Sequence, residues 1–467
     1  MQTTKNMEIS TIFVQIASYR DSQLIQTIFN LIKHSDQPDR LRIVVCWQHA
    51  PDEMLGEFWK KGFTKWRFET IDGWTVHIME YNGARIDLID VPHFKSQGAC
   101  WARNLIQQHY RGEHYTLQID AHHRFVDGWD TLLIEMLESL RDESPKPVLT
   151  AYLPGYDPDL PTPQSSEPHS IQFNRFNSEG VLMVIGSVLP NWKTIDRPVR
   201  ARFYCAAFAF ADGRFAATVR HDPEYFFYGE EISIAARAFT HGYDLYHPHR
   251  VITWHDYTRK HNPRIWSDHT NEAKKNGDVS KTWWDRDSHS FQRNRELFGM
   301  AEPVLTNGEF GKYGFGTERT LADYEAYAGI CFRFRGVQRT TLDNAPPVPG
   351  ATRPDSNAEW MASLVRSNEI SVCLHEHAFQ NDEQRQDSRA ILLSAAQGHL
   401  VVYDSNETAL HSQDLEADVL TKLKESSWLE FRAVFLSDIE RIPACYTVEL
   451  FNDAGDLLAR IKQAIET

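Results

Sequence analysis

The sequence predicts an α/β protein, with a doubly wound, mostly parallel sheet and a smaller β-rich C-terminal domain. Three observations carry this. Apolar runs of strand length alternate with helical spacing through the first third of the chain. A hydrophobic strand at 115–120 (YTLQID) ends on a carboxylate. A break rich in Pro, Asn, Asp and Gly at 341–357 is followed by mostly strand-like segments.

The elements follow in order. Residues 11–17 (TIFVQIA) form an apolar run of strand length. Asp21 then stands where an N-cap would, ahead of Leu24, Ile25, Ile28, Phe29 and Ile32 at helical spacing. Further strands are expected at 41–47 (LRIVVCW) and 85–91. A helix at 98–110 leads into the strand at 115–120, and another helix follows at about 129–141. Such alternation implies parallel strands joined by crossover helices on both faces. Five prolines between 153 and 168 argue for a long surface loop. Residues 201–211 read as a buried strand, 229–241 as a helix ending before Gly242, and 250–253 as a short strand. From 255 to 290 the chain is rich in Trp, His, Asp and Arg with little periodicity. That suits loops lining a pocket, or a packed irregular segment. Beyond the break, 370–379, 390–403, 429–436 and 445–462 are strand-like, the last as a hairpin around Asn452-Asp453-Ala454-Gly455.

Composition removes several function classes. The 467 residues carry 49 Lys+Arg against 64 Asp+Glu, a net charge of −15, which argues against a nucleic-acid partner or a basic lipid anchor. No apolar stretch is long enough to span a bilayer, and the start carries no signal-peptide core. The six cysteines include no C-x-x-C pair and read as reduced thiols, so a cytoplasmic location is expected. The dinucleotide, P-loop, serine-hydrolase and zincin motifs are all absent.

Five constellations remain. In Asp120-Ala121-His122, residues i and i+2 of an extended chain point the same way and can reach one cation. The pair falls at the carboxyl end of a strand, where open α/β sheets gather ligands, and its oxygen–nitrogen donor set suits Mn²⁺. Alone, the pattern also fits a solvated turn. His255, within Trp254-His255-Asp256-Tyr257, can complete such a site or be a structural histidine, one of 21 in the chain. Phe226-Phe227-Tyr228-Gly229-Glu230-Glu231 opens the helix at 229–241. Its acids suit a helix N-terminus, and the aromatics with a carboxylate also suit a sugar pocket. Ser18-Tyr19-Arg20-Asp21 and Gly98 to Asn104, with Arg103, supply arginines and backbone N–H groups at strand-to-helix turns, which can hold a diphosphate. Cys373, His375 and His377 alternate on one strand face, which favours an ordinary strand over a zinc site because no fourth ligand is evident.

Taken together, the segments at 11–21, 42–48, 98–104, 117–130 and 226–248, the His255 segment and GTERTLADYEAYAGI at 316–330 resemble one family. It is the cytoplasmic polypeptide N-acetylglucosaminyltransferases, glycosyltransferase family sixty, known for modifying hydroxyproline on a ubiquitin-ligase adaptor. The resemblance covers roughly residues 10–335. It implies a GT-A catalytic domain over 1–335, Rossmann-like and built for a nucleotide sugar, with a β-rich accessory domain over 336–467. It further implies UDP-N-acetylglucosamine as donor, retaining stereochemistry and a divalent cation, Mn²⁺ or Mg²⁺. Asp120 and His122 match the family's D-x-H metal motif. His255 is placed like the third metal ligand of the related mucin-type polypeptide N-acetylgalactosaminyltransferases. Glu230 and Glu231 are similar to the acid pair lining the sugar pocket.

On this reading the cation at Asp120, His122 and His255 offsets the charge of the leaving diphosphate, with help from Arg20 or Arg103. Ser18, Tyr19 and Asp120 join the donor site, and Trp47 either stacks near the uracil or sits in the core. Glu230 or Glu231 orients sugar or acceptor in a front-face transfer. The acceptor is a hydroxyl, expected on a polypeptide, with a glycan or small molecule as the alternative. The extra C-terminal region keeps the hydroxyproline target from being carried over. A carbohydrate-binding protein without turnover is the rival from another class.

Overall fold

A computed structural model of the protein describes residues 10–160, 165–260, 262–301, 307–375, 379, 388–425 and 428–465. His377 of the alternating triplet therefore lies outside the described residues. The chain forms two compact units: residues 1–172, 184–328 and 346–352, and residues 173–183, 329–345 and 353–467.

The first unit begins as the hydrophobic pattern requires. β1 (Ile12–Tyr19) is almost wholly buried, and α1 (Leu24–Lys33) turns Leu24, Ile28, Leu31 and Ile32 onto it at i, i+4, i+7 and i+8. β2 (Leu41–His49), the short α2 (Gly56–Lys60), the β3–β4 hairpin (Thr64–Ile71, Trp74–Tyr81) and β5 (Ala84–Pro92) follow. α3 (Ala99–Gln107) leads to β6 (Tyr115–Asp120), the three-residue β7 (His123–Phe125) and α4 (Trp129–Glu138). Next come β8 (Pro147–Thr150), the hairpin of β9 (His169–Phe176) and β10 (Leu182–Val188), whose residues 173–183 belong to the second unit, β11 (Val199–Arg200) and β12 (Phe208–Asp212). After them come α5 (Phe215–Thr218), α6 (Glu230–Thr240), β13 (Asp244–His247) and β14 (Thr253–His255).

Ten strands form one mixed sheet in the order β11-β13-β8-β12-β6-β1-β2-β5-β4-β3. Its centre, β6-β1-β2-β5, is parallel throughout, while β12 runs antiparallel to both β6 and β8. The chain leaves β1 toward β2 on one side and later returns to β6 on the other. The carboxyl ends of β1 and β6 therefore flank a topological switch point, where a crevice opens in such sheets. β14 pairs antiparallel with β7 in a separate two-stranded ribbon, setting His255 opposite His123. That ribbon brings His255 back to the mouth of the crevice.

Local sequence departs from expectation in four places. Only Phe208–Asp212 of the run 201–211 is a strand. The preceding backbone is held by side chains instead: Cys205 N–H donates to Thr150 Oγ1 (3.0 Å) and Ala206 N–H to a Glu231 carboxylate oxygen (2.9 Å). The strand expected at 250–253 forms at Thr253–His255. The aperiodic 255–290 stretch contains α7 (Ile265–Asp268), α8 (Asn271–Asn276) and the start of α9 (Trp283–Leu297). α9 starts with a Thr282/Asp285 capping box and buries Ser290 and Asn294 beside Leu297, so no apolar stripe marks it. In the C-terminal region, Ser388–Ser394 and Ala417–Glu425 are helical.

The second unit contains two four-stranded sheets. One has the order β15-β16-β17-β20, from Ile330–Cys331, Gly336–Gln338, Leu364–His375 and Trp428–Asp438. The other is β19-β18-β21-β22, from Ala409–Asp414, Gln397–Asp404, Pro443–Phe451 and Leu457–Ala464. The pairs β17–β20, β18–β21 and β21–β22 are antiparallel, and Val372, Leu374, Leu400, Val402, Val448 and Ile461 share one core. All six cysteines are free, and no helix among the described residues is long and apolar enough to cross a membrane.

Candidate functional site

A pocket opens at the switch point. Tyr19 and Asp21 from the end of β1, Gln48 from β2, Ser96, Gly98 and Arg103 around the start of α3, and Asp120 and His122 after β6 all line it. Its far wall is Phe226, Phe227 and His255, with Arg259, Arg264 and Trp266 from the segment that follows.

The turn into α3 depends on a glycine. Gly98 has φ +118°, and a Cβ there would sit 2.7 Å from the Phe226 ring and 2.8 Å from its carbonyl oxygen. This close approach lets the segment before α6 pack directly on the α3 N-terminus. It also places Arg103, one turn into α3, between two carboxylates.

Asp120, His122 and His255 each offer a donor atom, all within 4.8 Å of one another. Asp120 Oδ2 lies 3.3 Å from His255 Nε2, and His122 Nδ1 lies 2.9 Å from Asp21 Oδ2. The carboxylate thus occupies one ring nitrogen of His122 and leaves Nε2 for a ligand, the arrangement by which outer residues orient metal-binding histidines. His255 Nδ1 is buried without a hydrogen-bond partner. Burial disfavours ionising Asp120, but His255, Arg103 and His122 outweigh it and hold its pKa well below the ordinary carboxylate value. Burial also lowers the pKa of His255, keeping a lone pair available to a cation. One hard oxygen with two imidazoles fits Mn²⁺ or a similar ion.

A charged chain runs behind this triad. Arg103 Nη2 donates to Asp120 Oδ1 at 2.8 Å, and its Nη1 donates to both Glu230 oxygens at 2.8 and 2.7 Å. Cys100 Sγ donates to Glu230 Oε2 at 2.7 Å, and His221 is close by. Cys100, His221 and Glu230 have the spacing of a second metal group, but the guanidinium already neutralises its only carboxylate. The neighbouring Glu231 accepts from Ala206 N–H, and burial followed by the Glu230 charge pushes its pKa up to about 7.

At the β1 end, Tyr19 OH donates to Asp268 Oδ2 at 2.8 Å, and Arg20 Nη1 donates to both Asp268 oxygens at 3.0 and 2.9 Å. These bonds tether α7, and Trp266 on it, beside the pocket. Ser18 contributes its carbonyl, which accepts from Gln48 Nε2 at 3.0 Å; Gln48 Oε1 in turn accepts from Ser96 Oγ at 2.5 Å.

The structure brings together Tyr19, Arg103, Asp120, His122 and His255 as pocket-lining residues. Ser18, Arg20, Glu230 and Glu231 stand one layer behind it, bonded to other protein groups. Trp47 faces a neighbouring cleft, stacked on His49 with centroids 3.9 Å apart. Sequence reasoning placed Asp21 at the helix N-cap and in the Ser18–Asp21 turn; the N-cap of α1 is Gln23 instead, whose N–H donates to Asp21 at 2.9 Å, and the second Asp21 oxygen serves His122. Arg259, Asp268 and Gln48 were missed as site residues, as was the bond of Asp21 to His122, because their partners are far away in sequence. Only the richness of 255–290 in Trp, His, Asp and Arg hinted that this segment mattered.

Comparison with known proteins bears on residues 11–334, which match the family model described as "Glycosyltransferase (GlcNAc)". No curated protein matches the sequence. Among solved structures, GalNAc-T7 with UDP, GalNAc and Mn²⁺ aligns at 15% identity and TM-score 0.41, over 65% of this chain and 54% of that one. The chain thus spans about half the length of that protein. S. aureus TarS 1-349 in complex with UDP-GlcNAc aligns at 12% identity and TM-score 0.31, over 65% of this chain and 78% of that one. The mannosyltransferase PcManGT from Pyrobaculum calidifontis, with GDP-Man and Mn²⁺, aligns at 11% identity and TM-score 0.27, over 51% and 54% of the two chains.

Proposed function

Because the chain belongs to the glycosyltransferase (GlcNAc) family, we propose that it moves N-acetylglucosamine from UDP-N-acetylglucosamine to an acceptor hydroxyl. The observation that carries this is the convergence of Asp120, His122 and His255 within 4.8 Å at the switch point, in a pocket also lined by Arg103, Arg259 and Arg264. An anionic donor needs such a patch in a chain of net charge −15.

A divalent cation, Mn²⁺ or Mg²⁺, is held in this reading by Asp120, His122 and His255. When bound, it supplies Lewis-acid stabilisation to the leaving diphosphate. The protein's own groups do the rest. Arg259 and Arg264 offer charge-assisted hydrogen bonds to phosphate oxygens. Tyr19, Gln48 and Ser96 border the nucleoside side, and Phe226 and Phe227 supply apolar faces beside the sugar. Glu230 acts through Arg103, and Glu231 orients groups at the sugar end. Transfer is front-face and retaining.

The acceptor is assigned to a polypeptide hydroxyl, in line with the polypeptide-modifying enzymes of glycosyltransferase family sixty and a GT-A catalytic domain. Residues 1–335 are the catalytic part of this reading and 336–467 the accessory part. Six free cysteines support a cytoplasmic setting. The test is UDP release from UDP-N-acetylglucosamine with Mn²⁺, comparing wild type with Asp120→Ala. The reading expects release that needs metal and is lost in the variant. Equal release by both proteins, or none by wild type with any candidate peptide, overturns it. Mass spectrometry of the peptide should show one added N-acetylhexosamine.

A further inference from the structure

His123 is fully buried between two of the residues assigned to the cation, and nothing above gives it a role. Its hydrogen bonds fix its tautomer. Asp120 N–H donates to His123 Nε2 at 3.3 Å, so the ring proton is on Nδ1, which donates to Thr253 Oγ1 at 3.1 Å. The Thr253 hydroxyl in turn donates to Arg124 O at 2.7 Å. From the other side, His123 N–H donates to Thr27 Oγ1 at 3.0 Å, and that hydroxyl donates to Ala121 O at 2.8 Å. The two hydroxyls have second, longer contacts as well, Thr27 Oγ1 to His123 O at 3.3 Å and Thr253 Oγ1 to Trp254 O at 3.4 Å.

The elements joined are the ones that carry the ligands. Asp120 ends β6, and Thr253 lies two residues before His255 on β14, which faces His123 in the β7–β14 register. The rings of His123 and His255 meet edge-on with centroids 4.9 Å apart. We infer that His123 is a positioning residue for the cation site, whose imidazole ties the end of β6 to β14 and so sets the spacing of Asp120 and His255. The inference rests on the cation part of the proposed function and on no other part of it.

A plain core filler would need only volume. The test is Mn²⁺ titration of the full chain without donor, with free Mn²⁺ followed by electron paramagnetic resonance. The proteins are wild type, Asp120→Ala, His123→Phe, His123→Gln and Thr253→Val. Losing an outer partner of a metal ligand costs about 10–100-fold in affinity, and His123→Phe is expected in that range. His123→Gln keeps an acceptor for Asp120 N–H and should recover most of the loss. Thr253→Val should weaken binding alone yet add little to His123→Phe, because both break one chain. If His123→Phe does not fold, Thr253→Val carries the test. Wild-type affinity in His123→Phe and Thr253→Val, with binding lost in Asp120→Ala, overturns the inference alone. Equal weak binding by wild type and Asp120→Ala overturns it together with the cation reading.

Discussion

Arg103 reaches Asp120 Oδ1 at 2.8 Å with one guanidinium nitrogen while its other holds both oxygens of Glu230. A residue of α3 thus fixes the last residue of β6 against the first residue of α6. Burial opposes a charged Arg103, but Glu230 and Asp120 more than offset it and raise its pKa well above the ordinary value.

Arg103→Met should therefore be costly. It strands Glu230, only 5% exposed, without its cation, and removing one partner of a buried pair costs about 3–5 kcal/mol. Arg103→Lys can serve one carboxylate at a time and should fall between. Urea unfolding of the three proteins checks the order, and equal midpoints for wild type and Arg103→Met would sink it.

Asp21, just after β1, is bonded to His122 of the Asp120, His122 and His255 cluster. Burial disfavours its charge, but His122 and then Arg259 outweigh this and hold its pKa below the ordinary value. Asp21→Ala frees His122 Nδ1 and removes the constraint that turns Nε2 toward Asp120 and His255. Mn²⁺ affinity by calorimetry is expected to fall about 10–100-fold. An unchanged isotherm would show that the triad orients itself.

These relationships explain what could be read from the sequence. The strand ending at Asp120 and the helix at Glu230 announce themselves by apolar periodicity, and Asp120-x-His122 by spacing along one extended chain. His255 was nameable only as a candidate, since a single histidine carries no pattern. The bonds of Asp21 to His122 and of Asp268 to Tyr19 and Arg20 span 101 to 249 positions, and no local rule encodes them. α9 escaped for another reason: a helix that buries Ser290 and Asn294 has no apolar face to read.

In the second unit, Glu369 on β17 is 3% exposed and is held by Arg175, by Arg432 at 2.6 Å and by Ser178 N–H at 3.4 Å. Glu369→Gln keeps the shape and removes the charge, leaving Arg175 beside a neutral amide. A loss of about 2–4 kcal/mol in that unit is expected. Hydrogen exchange should quicken in β17 and β20 while amides of β1 and β6 keep their rates. Uniform change across both units would refute a local role.

Glu231 gives the pH dependence a definite sign. Its pKa rises from the ordinary 4.5 to about 7 in the folded chain, through burial first and the neighbouring Glu230 second. Between those values the folded state keeps a proton that the unfolded state has already released. Its stabilising contribution is therefore fully present below pH 4.5, declines as pH rises, and is gone above about pH 7. The full span corresponds to roughly 3 kcal/mol, less to the extent that water reaches the part-buried carboxyl. Glu231→Gln stays neutral at every pH, and its Oε1 still accepts from Ala206 N–H, so it should lack this decline. The stability of wild type minus that of Glu231→Gln, from urea unfolding, should accordingly fall by on the order of 2 kcal/mol between pH 4.5 and pH 8. Subtracting the variant cancels the other titrating groups, so a difference independent of pH would mean that Glu231 ionises in the fold as readily as in the open chain.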